Sequence, residues 1–256
     1  MLRKSMWQKS NRPSSLQTFY RLAGTLAPWF GWGSLILLLV GLYGGLVAAP
    51  SDYQQGDAFR IIYVHVPAAM MSLFAYTFMA AVSALGLIWR FRLADALLAG
   101  TAPVGGSFTL LALVTGSIWG KPMWGTWWVW DARLTSELIL LFLYLGVIGL
   151  LAAYDDKRKG GRAAAWLTIV GVINIPIVKF SVDWWNTLHQ GTTLFRTETA
   201  IHSSMRFPLV VMIIGFACFF VAVMLWRARC ELLVRERNSK WVIALTHATR
   251  THKLIP

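Results

Sequence analysis

The sequence predicts an all-α membrane protein with six transmembrane helices, both termini in the cytoplasm, and a tryptophan-rich outward loop between helices 3 and 4. Three observations predict this fold class. Hydrophobic residues make up 57% of the 256 residues and charged residues only 14%, whereas a soluble domain would have about a quarter of its residues charged. The apolar residues lie in six long runs, and the basic residues lie mainly between and beyond those runs.

Each apolar run is long enough to cross about 30 Å of hydrocarbon. We expect span interiors without acidic residues, with Lys179 as the one charged residue inside a span. A signal peptide in place of the first span is disfavoured, because its apolar run is about twice the usual signal core. The chain is therefore predicted to be a single polytopic membrane domain over residues 1–256, with basic cytoplasmic tails at 1–25 and 227–256. The predicted spans are 26–49, 64–89, 97–119, 134–154, 163–182 and 207–226.

The distribution of basic residues predicts the orientation. Eighteen of the 24 Lys and Arg residues fall in the two tails and in the loops at 90–92 and 157–162, which the positive-inside rule assigns to the cytoplasm. The loops at 50–63, 120–133 and 183–206 then face outward. The net charge of +13 is thus explained by orientation next to anionic membrane lipid. A nucleic-acid partner is excluded, since that would need a solvated basic face.

The tryptophan segment, which we define as residues 119–131, contains five of the fourteen tryptophans. An aromatic belt at the membrane interface explains single tryptophans at span ends, but not this cluster. Gly120, Pro122 and Gly125 predict a loop, and Asp131 is positioned to cap the following helix. We interpret the segment as an outer platform for a large, flat, apolar ligand. The platform residues are Trp124, Trp127, Trp128 and Trp130.

Two histidines flank the tryptophan segment on the outward side: His65 at the end of the second span, and His189 in the connection between spans five and six. Imidazole is a common axial ligand of haem iron, so this pair predicts a bis-histidine haem site. The alternative for each is a hydrogen-bonded histidine at a helix end. His202 is a weaker candidate in the same connection.

Other kinds of metal or haem site fit the sequence less well. A transmembrane cytochrome b arrangement is disfavoured, because no predicted span interior contains a histidine. No Cys/His spacing indicates zinc. The chain also lacks Cys-x-x-Cys-His, so it has no c-type haem attachment site of its own.

Haem carries two propionates that need cationic partners. Arg60, Arg133 and Arg196 are predicted to lie outward. Arg133 is the preferred candidate, because it follows the tryptophan segment directly and a guanidinium can pair bidentately with a carboxylate. Pairing of Arg133 with Asp131 or Glu137 is an equally consistent role.

The stretch from Trp124 to Thr135, Trp-Gly-Thr-Trp-Trp-Val-Trp-Asp-Ala-Arg-Leu-Thr, resembles the signature of the tryptophan-rich "WWD" family of haem-handling proteins. Together with His-Val-Pro-Ala-Ala from His65 to Ala69, the length and the six spans, it resembles in particular the CcmC family of bacterial system I cytochrome c maturation. The likeness covers about residues 20–230.

This resemblance implies a protein that is not an enzyme and that binds haem b transiently and non-covalently. The haem site would be on the periplasmic face of the bacterial inner membrane, where His65 and His189 match the family's two histidines as axial ligands of the iron. The resemblance also implies delivery of haem to the haem chaperone CcmE, and work alongside the subunits CcmA, CcmB and CcmD of an ABC-type complex. The chain has no Walker phosphate loop, so an ATP-driven step needs another subunit.

Two alternatives remain. A haem export channel would move haem through the bundle and would need a polar path through the spans, for which the sequence offers only Lys179. A lyase-like relative of the same family would be much longer than 256 residues.

Overall fold

The computed structural model describes residues 15–185, 187, 189 and 202–245. The secondary-structure elements of that part are all helices. Helix α1 continues into a π-helical turn at Gly44–Ala48, and a 3-10 helix at Asp57–Ile61 precedes α2. The α-helices are α1 (Ser15–Tyr43), α2 (Ile62–Trp89), α3 (Ala94–Trp124), α4 (Ala132–Ala153), α5 (Lys157–Gly171), α6 (Asn174–Trp184) and α7 (Ser203–Arg235).

The described residues contain six helical segments long and apolar enough to span a membrane, which confirms the predicted all-α class and the six spans. The segments begin two to eleven residues before the predicted ranges, because helices continue past the hydrocarbon into the interface, where polar residues are tolerated. The first and fourth segments end one residue before the predicted ranges. The six segments are Ser15–Ala48, Asp57–Trp89, Ala94–Trp124, Ala132–Ala153, Lys157–Trp184 and Ser203–Arg235.

The fifth span is broken between α5 and α6, at Val172 and Ile173. Pro176 explains the break, because it has no amide hydrogen and its ring would clash with the carbonyl group four residues earlier. Just after the break, the buried Asn174 donates a hydrogen bond from Nδ2 to the carbonyl oxygen of Ser136 on α4, 2.9 Å away. Such contacts satisfy polar groups at an interruption inside a membrane.

Helix α3 is the most buried span and packs against α2, α4 and α7. Small residues permit this close approach. A Cβ at Gly100 would lie 3.0 Å from the backbone nitrogen of Ala228 on α7, and a Cβ at Gly105 would clash with the ring of Tyr144 on α4. The central position of α3 lets its outer end contact groups from both sides of the bundle.

The expectation of span interiors without acidic residues is wrong at Glu137. This residue lies in the second turn of α4 and is 8% exposed. Its Oε1 accepts a hydrogen bond from the Ser72 hydroxyl at 2.8 Å, and the Tyr144 hydroxyl donates to the Ser72 carbonyl oxygen at 2.7 Å. A buried carboxylate needs such partners, and they come from α2, which sequence spacing along α4 does not reveal.

Candidate functional site

His65 lies in the first turn of α2 and faces α3. Its Nδ1 is 3.0 Å from the Thr115 hydroxyl oxygen. That hydroxyl donates its single hydrogen to a backbone carbonyl, with the Leu111 oxygen only 2.6 Å away. Thr115 must therefore accept from His65, which places the imidazole hydrogen on Nδ1 and leaves the lone pair on Nε2. This arrangement makes Nε2 the nitrogen that can bind a metal.

Two further residues of α3 fix the position of the His65 ring. The ring meets Trp119 edge to face, with centroids 5.7 Å apart and planes at 76°. Trp119 is itself held by a hydrogen bond from its Nε1 to Oε1 of Gln55, at 3.0 Å. A Cβ at Gly116 would lie 3.0 Å from Cε1 of His65, so the ring approaches α3 more closely than most side chains there would allow.

His189 lies beside the start of α4. Its Nδ1 is 3.5 Å from Oδ2 of Asp131, and neither atom has a hydrogen-bond partner among the described residues. The other Asp131 oxygen, Oδ1, accepts from the Leu134 amide at 2.8 Å, which confirms the predicted helix cap. A carboxylate can only accept, so it favours the hydrogen on Nδ1 of His189 and again leaves Nε2 free.

The surroundings of His189 favour the neutral imidazole. Burial lowers the pKa of His189 below its ordinary value, and the positive charge of Arg133 lowers it further, while Asp131 acts in the opposite direction. Neutral imidazole is the form that binds metal. The ring also packs against Trp124, with centroids 4.8 Å apart.

The positive charge of Arg133 acts on both His65 and His189, and the carboxylates of Glu137 and Asp131 act on Arg133. Its hydrogen bond goes from Nη1 to the Val178 carbonyl oxygen on α6, 3.1 Å away. Among the described residues, Arg133 makes no ion pair within 4.0 Å with Asp131 or Glu137, the two partners that the sequence offered.

The other two basic candidates differ from Arg133. Arg60 donates to Oδ1 of Asp57 at 3.0 Å and to the Gly45 carbonyl oxygen at 2.9 Å. It therefore fastens the start of the second span to the end of the first. Arg196 lies outside the described residues.

The start of the tryptophan segment is helical, which corrects the predicted loop. Helix α3 runs through Gly120 and Pro122 and ends at Trp124. Pro122 lies in the last turn of α3 and removes only one helix hydrogen bond. The chain turns at Gly125, whose φ of +77° is a conformation that glycine adopts at little cost.

The remaining tryptophans do not form one flat platform. Trp128 and Trp130 meet at 75°, with centroids 5.4 Å apart, the edge-to-face geometry that aromatic rings favour over a face-to-face sandwich. Trp127 and Trp130 are 57% and 75% exposed. The indole Nε1 of Trp128 is buried without a hydrogen-bond partner among the described residues.

The outer ends of α2, α3 and α4 thus bring together His65, Trp124, Asp131, Arg133 and His189. Imidazoles whose hydrogen is held on Nδ1 carry the lone pair on Nε2, and they fit the donor set expected for a ligand with a metal centre.

Comparison with known sequences decides the family. The CcmC family, described as heme exporter protein C, matches residues 9–243. The chain belongs to the CcmC family. It is 49% identical over 240 residues to heme exporter protein C of Escherichia coli strain K12, covering 94% of this chain and 97% of that protein.

Two further relatives extend the CcmC comparison. Heme exporter protein C of Haemophilus influenzae is 47% identical over 246 residues, covering 96% of this chain and all of that protein. A putative cytochrome c biosynthesis ccmC-like mitochondrial protein of Marchantia polymorpha is 50% identical over 184 residues, covering 72% of this chain and 77% of that protein.

Within this CcmC chain, His202 has a structural role. It is exposed and caps the start of α7, with Nδ1 2.8 Å from the Ser204 hydroxyl and 3.4 Å from the Ser204 amide. It therefore serves as a natural comparison for the other two outward histidines.

Sequence reasoning missed Thr115 and Gln55 and did not single out Trp119. Thr115 and Trp119 are four residues apart and so share a face of α3. That spacing was a usable signal, but the sequence does not show that this face meets His65.

Proposed function

We propose that this chain holds haem at the outer side of the membrane and delivers it to the periplasmic haem chaperone CcmE. The observation that carries the proposal is the matched arrangement of His65 and His189. Each presents its Nδ1 to an acceptor, and each keeps Nε2 free to bind iron. Haem is the cargo in this proposal, haem b held transiently and without a covalent bond.

The surrounding residues support the same cargo. Arg133 lies near both histidines and is the candidate partner for a haem propionate. Trp124 packs against His189 at the rim of the site, and Trp127, Trp128 and Trp130 follow it along the chain. These indoles do not form one continuous surface, but the face of a single indole is an apolar contact for a porphyrin.

The names of the relatives support a role in haem handling for cytochrome c biogenesis. They favour a transport component over a catalyst. We infer that the chain works in a complex with CcmA, CcmB and CcmD, in which an ATP-binding subunit supplies the nucleotide chemistry. The basic ends of the spans support an inner-membrane orientation with the histidines on the periplasmic side.

Export of haem through the bundle is the alternative, and the word exporter in the relatives' names favours it. The buried Glu137 adds a polar group within the fourth span. Glu137 is hydrogen-bonded to Ser72, however, and Tyr144 packs against α3 at Gly105. Lys179 is exposed and lines no interior path. We therefore favour presentation over passage.

The optical spectrum of the purified protein tests the proposal. His65→Ala and His189→Ala should each remove one axial ligand, so bound haem should lose its low-spin bis-histidine spectrum and be retained less well. His202→Asn is the matched control, because asparagine keeps the helix cap and should leave the spectrum unchanged. A normal spectrum in both alanine variants would exclude these two ligands.

A further inference from the structure

A cavity of about 660 Å³ lies at the basic end of the bundle, opposite the histidines, between the ends of α2, α3, α5 and α7. Seven Lys or Arg residues and three acidic residues line it, an excess of four positive charges. Positive residues at this end are expected from orientation alone, but their grouping around a cavity is not.

Ion pairs that join the helices build the cavity wall. Arg235 on α7 donates from Nη1 to Oδ2 of Asp95 on α3 and to the Lys157 carbonyl oxygen on α5, each at 3.3 Å. Arg92 donates to Oε1 of Glu236 at 3.2 Å. Two of the three acidic residues are thus already paired.

Three further arginines of the cavity make no ion pair with a carboxylate among the described residues. Arg90, Arg158 and Arg162 also line the cavity, and within the described part of the chain none of them has an acidic oxygen within 4.0 Å of its guanidinium. The cavity therefore has unused capacity for an anion.

Arg90 also adopts an unusual backbone conformation. With φ 53° and ψ 39°, it is the one residue other than glycine with positive φ among the described residues. It ends α2 in the left-handed conformation that glycine adopts at little cost and other residues adopt with strain. The side chain of Arg90 thus places a guanidinium at the cavity, at a position where glycine would end the helix with less backbone strain.

The lining is amphipathic. Leu87, Phe91 and Val234 line the same cavity as the arginines, and Phe91 and Val234 are 44% and 54% exposed. A soluble phosphate would leave this apolar wall unused, whereas a phospholipid has an anionic phosphate next to apolar chains. Basic pockets between transmembrane helices at the cytoplasmic side suit such headgroups.

We propose that this cavity binds the phosphodiester headgroup of an anionic phospholipid of the cytoplasmic leaflet, with the start of an acyl chain against Leu87, Phe91 and Val234. This site does not depend on the haem proposal, because it shares no residue with the histidine site.

Lipid retention tests the site directly. The full-length protein is reconstituted in vesicles of equal parts phosphatidylglycerol and phosphatidylcholine, and the lipids that stay bound after extraction are counted by native mass spectrometry. Arg158→Gln with Arg162→Gln should weaken phosphatidylglycerol binding roughly thirty-fold, since each basic residue contributes about a fivefold gain in affinity for anionic lipid. The matched control, Arg21→Gln with Arg227→Gln, removes two exposed cations outside the cavity and should retain the lipid.

The variant Arg90→Gly tests whether a loss of lipid binding results from misfolding. Glycine relieves the backbone strain, so the protein should stay at least as stable to heat while phosphatidylglycerol binding falls about fivefold. Equal retention in the Arg158 and Arg162 variant, or an equal loss in the control, would overturn the proposal. Displacement of the lipid by inorganic phosphate at an equal phosphate concentration would also overturn it, in favour of a soluble anion.

Discussion

At the scale of single residues, both histidines direct Nδ1 toward an oxygen acceptor, but the acceptors differ. His65 faces a neutral hydroxyl, that of Thr115, and His189 faces the carboxylate of Asp131. A carboxylate partner makes an imidazole a stronger metal ligand than a hydroxyl does. Asp131 does this while its other oxygen caps α4, so one residue links the end of the tryptophan segment, the next helix and a candidate iron ligand.

Asp131→Asn should separate these two roles. Asparagine caps helices as well as aspartate does, so the fold should persist, while haem affinity should fall about 10- to 100-fold because the partner of a ligating histidine is lost. The measurement is a haem titration followed by the Soret band. Full affinity in Asp131→Asn would show that the carboxylate does not support His189.

The pH profile of the same titration gives a second readout. Burial lowers the pKa of His189, so its imidazole stays neutral at its ordinary value of about 6.5. Haem should leave only as the pH falls further and protonation competes with iron. Asp131 raises the pKa of His189, so in haem-free Asp131→Asn the His189 imidazole should titrate at lower pH, as followed by NMR. An unchanged or higher titration pH would contradict the contact.

At the scale of elements, α3 supports both histidines. Thr115, Gly116 and Trp119 fix His65, and Trp124 at the end of the helix packs against His189. Because α3 is the most buried span, the ring positions depend on a part of the bundle that is packed on several sides. A rigid support of this kind is what a preorganised site requires.

Thr115→Val tests that support. Valine keeps the shape but removes the acceptor for Nδ1 of His65, so the imidazole hydrogen is no longer held on that nitrogen and a partly buried donor loses its partner, at a cost of about 1–3 kcal/mol. We expect haem affinity to fall about tenfold or more, with near-normal membrane insertion. Thr115→Ser is the control, because serine restores the hydroxyl and should restore the affinity. Equal binding by the valine variant would show that another group orients the ring.

The elements also show how far the sequence alone could lead. Six apolar runs predicted the six spans, because the hydrocarbon thickness sets the minimum length of a span and an apolar run of that length is recognisable in the sequence. The cap at Asp131 was predictable from local chemistry. The helical start of the tryptophan segment was not, since Pro122 is tolerated in a last turn. The contacts of Thr115 with His65 and of Ser72 with Glu137 join residues 50 and 65 positions apart, so they depend on how helices pair.

At the scale of the whole molecule, the two ends of the bundle have different chemistry. One end carries the histidines and the exposed indoles, and the other carries the basic cavity. Packed residues of α3 and α4 separate them, including Tyr144 against Gly105. This division favours a protein that presents a ligand at one surface while the opposite end anchors it to the membrane and its lipids.

Transfer of haem should depend on the exposed indoles, Trp127 and Trp130, more than haem binding does. Both are more than half exposed, whereas the candidate iron ligands are histidines, so replacing both indoles with alanine should leave the low-spin spectrum in place. If they form a hot spot of the contact with the chaperone, their loss costs about 2 kcal/mol or more, and transfer should slow by about thirty-fold. The measurement is the rate at which purified CcmE acquires covalently bound haem from loaded membranes.

Trp29→Ala with Trp32→Ala is the matched control, because these two indoles are 75% and 65% exposed on α1 and lie outside the tryptophan segment. Equal transfer rates in the two double variants would show that Trp127 and Trp130 only anchor the protein at the membrane interface.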